Sequence, residues 1–139
     1  MFINCTQHQL TQEQIEAIKN ENPANPHSVK ELKELAPGLF DELKSTPNDY
    51  EKLVELANEF HNFLCAYATT IKSDDYLLAH LPIGSPAFQH LFAQAYRWSE
   101  LFEGKLYTPV FSHTERIIEE KDGKKISTFK FKKFIIMEY

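Results

Sequence analysis

Apolar residues follow two rhythms along the chain. From Tyr50 to Ile71 the positions Tyr50, Leu53, Val54, Ala57, Phe60, Leu64, Tyr67, Ala68 and Ile71 recur at intervals of three and four, which predicts a long amphipathic helix packed on a sheet. Three shorter apolar runs, Met1–Cys5, Tyr76–Leu81 and Leu106–Ser112, have the length and turn-bounded flanks of buried strands; the middle one lies between Asp74-Asp75 and Pro82. Between the first run and the long helix, Thr11 with Gln14 has the capping-box spacing and opens a helix to about Lys19, with Ile15 and Ile18 inward. Asn20–Pro26 reads as a loop; Ser28 with Glu31 repeats the capping box and predicts a short helix that Pro37-Gly38 ends or bends. Gly84-Ser85-Pro86 predicts a turn and a capped helix start, and Phe88, Leu91, Phe92, Ala95 and Trp98 form one apolar face as far as Gly104.

Toward the C-terminus, Ile117-Ile118, Asp122-Gly123 and Ile126–Phe131 spell a β-hairpin, because Asp-Gly accepts the positive φ angles of a type I′ turn. Phe129 and Phe131 share one face while Phe134 and Ile136 have the other parity, so a bulge near Lys132-Lys133 is expected. The order strand, helix, short helix, long helix, strand, helix, strand and hairpin implies one three-layer α/β domain, residues 1–139, with parallel core strands and an antiparallel extension.

Composition narrows the classes. With 139 residues, 42% hydrophobic and 25% charged, the chain suits one globular domain and excludes a disordered or low-complexity architecture. No apolar run is long enough to cross a bilayer and the first residues lack a signal-peptide pattern, so the expected location is cytosolic, away from membranes. Cys5 and Cys65 have no C-x-x-C partner and read as reduced core residues. The net charge of −5 argues against long nucleic acid as a partner, yet it is unevenly spread: residues 1–104 carry 7 basic and 15 acidic side chains, residues 105–139 carry 8 and 5. An anion site belongs in the basic last third.

In an open parallel sheet, ligands bind beyond the carboxyl ends of the strands. That rule selects Thr6, Gln7 and His8 after the first strand, Pro82, Ile83, Gly84 and Ser85 after the second, and Ser112, His113, Thr114 and Arg116 after the third. Gly84 would permit close backbone approach and the helix start at Ser85 would offer N–H groups to phosphate. Each has a plainer reading: Gly84-Ser85-Pro86 as an ordinary strand-to-helix turn, His8 as a loop hydrogen-bonder, Arg116 as a partner of Glu115, Glu119 or Glu120. Glycines at 38, 84, 104 and 123 build neither a dinucleotide fingerprint nor a Walker A loop. The histidines at 8, 27, 61, 80, 90 and 113 lack tight ligand spacing, so no metal and no cofactor is expected; His61 and His90 read as helix-surface residues. Lys121–Lys133, with Ile126, Phe129 and Phe131 interleaved, reads as a half-exposed strand before it reads as a nucleic-acid surface.

The opening Phe2-Ile3-Asn4-Cys5-Thr6-Gln7-His8-Gln9-Leu10-Thr11-Gln12-Glu13-Gln14 resembles the strand and His-x-Leu-Thr-x-Glu-Gln start of small proteins of type III CRISPR loci. Pro109–Arg116, the Glu119–Lys125 segment and Phe129–Tyr139 are similar to their Thr-x-Arg, hairpin and aromatic strand. These are relatives of the CARF domain, and the resemblance implies a Rossmann-like fold, a homodimer and a cyclic oligoadenylate, such as cyclic tetra-adenylate, held at the dimer axis. Some such proteins are ring nucleases that cleave the messenger without metal, by attack of a ribose 2′-OH on the adjacent phosphodiester; others only sequester it. The resemblance implies Thr6, Gln7, Gly84, Ser85, Thr114 and Arg116 as ligand-binding residues and His8 or His113 as the proton carrier. A non-catalytic binder and an α/β protein-interaction scaffold remain the alternatives.

Overall fold

The computed structural model describes residues 1–72, 75–104 and 106–137, which leaves Ser73, Asp74, Lys105, Glu138 and Tyr139 outside it. Five strands form one sheet. β1 (Phe2–Asn4) pairs in parallel with β2 (Val29–Glu31) on one side and β3 (Leu78–Leu81) on the other; β3 pairs in parallel with β4 (Thr108–Lys121), and β5 (Lys124–Ile136) closes the edge antiparallel to β4. The order β2-β1-β3-β4-β5 means that the chain leaves β1 in one direction, returns, and continues in the other. The crevice where this direction reverses lies between β1 and β3.

Each expected strand register has a physical cause. Phe2 and Asn4 face one side and Ile3 the other, so Ile3 joins the larger core while Phe2 joins a smaller one with Leu10, Ile18, Leu78 and Val110. The larger core is built by α4 (Tyr50–Ala68), which buries Leu53, Leu56, Phe60 and Leu64, and α5 (Pro86–Glu103), which buries Phe88, Phe92 and Tyr96. On the opposite face lies α1 (Gln12–Glu21), started by the Thr11–Gln14 capping box.

Several expectations change. Ser28–Glu31 does not start a helix: residues 29–31 are the edge strand β2, whose three residues are too few to show a periodicity, and α2 (Leu32–Leu35) begins only after it. Pro37 does not merely end that helix; it takes the first position of α3 (Pro37–Lys44), where its missing N–H costs nothing. Trp98 is 63% exposed, because ten residues place it roughly 80° round the helix from Phe88, and Tyr96 takes the inner position. Tyr50, at the first turn of α4, is exposed as well. The largest change is that the third strand does not stop at Ser112: β4 continues unbroken to Lys121, so Ser112–Arg116 is strand and not a loop. Asp122 and Gly123 make the turn with φ of 53° and 72°, and the register skips Lys132 between the pairs His113–Lys133 and Thr114–Phe131. That bulge puts Phe129, Phe131 and Phe134 on one face.

Gly84 has φ of +84°, and a Cβ there would lie 2.6 Å from Phe88 Cδ1 and 3.1 Å from Thr46 Cγ2. Its small size serves the packing of α5 against the segment before α4. Gly84→Ala should therefore lower the unfolding free energy by about 2 to 4 kcal/mol, from positive-φ strain plus overpacking. Urea denaturation measures this, and a loss under about 0.5 kcal/mol would show that the turn relaxes freely.

Candidate functional site

The carboxyl ends of the parallel strands carry a row of polar side chains on the α1 face of the sheet, two of them, Asn4 and His80, set within runs that are otherwise apolar. Asn4 ends β1, Glu31 ends β2, His80 is the third residue of β3, and Ser112 follows Val110 on the same side of β4. Asn4 and His80 are 1% and 3% exposed. Polar groups so buried must be paired with one another.

Their pairing fixes the orientation of the Asn4 amide and the tautomer of His80. Asn4 Nδ2 donates to the His8 carbonyl (2.9 Å) and to Glu31 Oε2 (3.0 Å), which leaves Asn4 Oδ1 as the acceptor. It receives the Thr6 hydroxyl at 2.8 Å, and His80 Nδ1 lies 3.0 Å away. His80 must therefore carry its proton on Nδ1, so that Nε2 is an acceptor; the Ser112 hydroxyl donates to it at 2.7 Å. Gln14 Oε1 accepts from the Thr11 N–H, so its amide Nε2 is the donor to Ser112 Oγ at 2.9 Å. Ser112, His80 and Asn4 thus line up as hydroxyl, imidazole and orienting amide, the order in which a hydroxyl is made more nucleophilic or more accepting.

The surroundings set the strength of this chain. Phe2 and Phe134 stand 5.5 and 5.4 Å from the His80 ring, centroid to centroid, and shut out water. Burial lowers the His80 pKa to about 4, so the ring is neutral at ordinary pH. An amide in the orienting position fixes the tautomer without stabilising an imidazolium, so His80 relays a hydrogen bond strongly and takes a full proton reluctantly. Glu31, by contrast, has its pKa raised by burial, against the opposing effect of the Asn4 hydrogen bond.

The residues singled out from sequence all lie toward this end of the sheet, and they divide into groups. Thr6 is buried inside the network and also accepts the His8 N–H at 3.3 Å, while the Gln7 and His8 side chains stand exposed above it. Thr114 and Arg116 share the face of Ser112 on β4, two and four residues farther out; His113 points from the opposite face. Arg116 Nε donates to Ser127 Oγ at 2.6 Å, a cross-strand partner in place of the glutamates suggested by sequence. Gly84 and Ser85 begin α5 on the other side of the sheet. There Ser85 Oγ accepts the Phe88 N–H, the Ser85 carbonyl accepts that of Gln89, and Pro86 has none, so Ala87 is the donor left in that turn. The central members Asn4, His80, Ser112 and Gln14 were outside the candidate set, except that Ser112 was placed on the rim. The signal that identifies them is the lone polar residue within an apolar run, Asn4 in Phe2–Cys5 and His80 in Leu77–Leu81.

Two other polar clusters lie elsewhere. His61, expected on the helix surface, is buried between α4 and α5; its Nδ1 is 2.7 Å from the Tyr107 hydroxyl, and burial lowers its pKa. His27 contacts Glu21 and the Tyr76 hydroxyl near the opposite end of the sheet. His90 is exposed, as its helix position suggests. Cys5 is fully buried and Cys65 partly so, both free, and desolvation raises both thiol pKa values. Among the described residues no three His, Cys, Asp or Glu side chains converge on a point, and no helix is long and apolar enough to cross a membrane.

The protein-family comparison matches residues 1–135 to the family described as "Uncharacterized protein MJ1673 family". No curated protein and no solved structure matches the chain.

Burial of His80 has a measurable consequence. Its folded pKa lies below the ordinary 6.5, so between those values the unfolded chain binds the proton that the folded one refuses. The His80 contribution should be flat above pH 7 and fall by about 3 kcal/mol as pH drops from 6.5 to 4, with His61 adding in the same direction. Denaturant melts of wild type and His80→Gln across this range test it; the variant should lose most of the slope, and equal slopes would place the acid sensitivity elsewhere.

Proposed function

We propose that this chain, which belongs to the MJ1673 family, binds a cyclic oligoadenylate over the carboxyl ends of β1, β3 and β4, in the manner of the Rossmann-like CARF relatives it resembles. The observation that carries the reading is the Asn4–His80–Ser112–Gln14 chain. It occupies the point where strand order reverses, which is where open α/β sheets take ligands. The ligand's charge calls for cations nearby. Arg116 lies four residues out from Ser112 on the same face of β4, with Lys132 at the bulge of the adjoining strand.

In this reading Gln7 and His8 meet the ligand from the β1 loop, Gln14 and Ser112 from the crevice floor, and Thr114 and Arg116 from the strand beyond. Gly84 and Ser85 play the smaller part, since they begin α5 on the other side of the sheet and the Ser85 hydroxyl oxygen already accepts the Phe88 N–H. The guanidinium of Arg116 keeps its outer nitrogens for two phosphate oxygens after Nε has bonded Ser127. The same rim on a second copy, related by a two-fold axis, would enclose a symmetric ring.

A second reading, cleavage, is favoured by one observation: Ser112 Oγ donates to an imidazole nitrogen that is neutral and unprotonated. The ribose 2′-oxygen bonds to phosphorus as the bond from phosphorus to the 5′-oxygen breaks, giving a 2′,3′-cyclic phosphate and a free 5′-hydroxyl. The 2′-proton passes to Ser112 Oγ while the Ser112 proton moves to His80 Nε2, and His8 protonates the leaving 5′-oxygen; His113, on the opposite face of β4, is out of place for that role. Because the His80 pKa is near 4, it is a weak base and turnover is slow, so sequestration outlasts cleavage.

Arg116→Ala should weaken cyclic tetra-adenylate binding by about tenfold to a hundredfold, the effect of one charge-assisted pair of 1.5 to 3 kcal/mol, with an unchanged melting curve. Calorimetric titration reads the affinity. Equal affinities would remove Arg116 from the site, and a wild type that binds nothing at about a hundredfold above micromolar ligand would leave the interaction-scaffold alternative. In single-turnover assays Ser112→Ala should abolish ring opening while retaining ligand; unchanged opening would exclude the Ser112–His80 route.

A further inference from the structure

Beyond Phe111, where pairing with β3 ends, β4 and β5 continue together as a two-stranded ribbon, with no further strand paired to either among the described residues. The ten residues 112–121 extend it by about 33 Å at 3.3 Å per residue. An isolated two-stranded ribbon is marginal in water, and this one also exposes apolar side chains: Ile118 is 60% and Phe129 73% exposed, on the same face. Arg116 and Lys125 bracket them on that face. The ribbon as a whole, residues 112–136, carries seven Lys or Arg and four Asp or Glu.

A second unpartnered patch lies at the far end of α5. Trp98, Leu101 and Phe102 are 63%, 76% and 76% exposed, with the Trp98 and Phe102 rings 5.2 Å apart. Grooves on either side are lined by Asn58, Ser99 and Glu103, and by Gln94 and Arg97. This patch belongs to the acidic part of the chain, residues 1–104, with 15 acidic against 7 basic side chains.

We propose that the ribbon of one copy lies along α5 of a second copy, Ile118 and Phe129 against Trp98 and Phe102, so that two chains clasp each other about a two-fold axis. Charge favours it, basic ribbon on acidic body. Charge also disfavours the simplest alternative, edge-to-edge pairing of β5 with β5, which would bring Lys130, Lys132 and Lys133 against their own copies. Dimensions agree as well. β4 runs outward past the carboxyl ends of the parallel strands, while α5 starts at that end and runs back. In a head-to-head pair the ribbon therefore passes down the partner's α5. Trp98 and Phe102 lie about 20 and 25 Å from Ser85 at 1.5 Å per residue, and Ile118 about 20 Å beyond Ser112. The clasp stands whether or not the rim takes a nucleotide, but it holds two rims face to face.

Sedimentation of the full chain from about 1 to 100 µM tests this, with Ile118→Ser/Phe129→Ser as one variant and Trp98→Ser/Phe102→Ser as the other. The wild type should be a dimer whose dissociation constant rises with salt, and each variant should raise it at least tenfold with an unchanged circular dichroism spectrum and melt. Three results would overturn the proposal: a wild type that stays monomeric to 100 µM, dimerisation unaffected by either variant, or a loss from only one of them. A monomer whose ribbon instead bound oligoadenylate RNA, with that binding lost in the ribbon variant, would equally overturn it in favour of a nucleic-acid surface.

Discussion

A buried polar atom without a partner costs about 1 to 3 kcal/mol, and the domain answers that constraint with one chain of hydrogen bonds. Asn4 sits at its centre, using its carbonyl for Thr6 and His80 and its amide for His8 and Glu31. The chain spans four strands, ties the loop after β1 to the sheet, and reaches α1 through Ser112 and Gln14. The strand order, the position of α1 and the conformation of the first loop all have to agree before these bonds can form together. This is why so short a strand as β1, three residues long, holds the middle of the sheet.

Much of this architecture was legible in the residues. The long stripe of α4, the capping box at Thr11, the Ser85-Pro86 helix start and the bulge at Lys132 each have a local cause, and the structure contains them. What could not be read depends on distant partners. β2 is a strand because β1 lies beside it and offers its backbone, although Val29–Glu31 has no strand pattern of its own. Ser112–Arg116 contains polar and charged residues that look like a loop, yet β5 pairs with it along its length, skipping only Lys132 at the bulge. The candidate site shows the same division. The strand-end rule reached Thr6, His8 and Ser112, whereas His80 and Asn4 were absorbed into strands as ordinary core positions. Their polarity within apolar runs was the missed signal.

The two faces of the sheet are unequal, and the difference allots the chemistry. One face is covered by α4 and α5 with an aromatic core from Phe60 to Tyr107. The other has α1 alone, supplemented by Phe134 from β5, and it is the side on which the polar row emerges. A thinner cover leaves an edge open to solvent where a ligand can enter, and the bulge at Lys132 is what turns Phe134 toward this face to wall off His80.

The candidate site is also assembled from parts far apart in the chain. Asn4 and His80 are separated by 76 positions, His80 and Ser112 by 32, and Gln14 and Ser112 by 98. As the chain leaves a ribosome, β1 has only β2 to pair with until residue 81 has appeared, and Ser112 comes later still. No shorter N-terminal fragment contains the complete hydrogen-bond chain. Acquisition of the site is therefore tied to closure of the sheet: a chain that has the site has already brought β1, β3 and β4 together with α1.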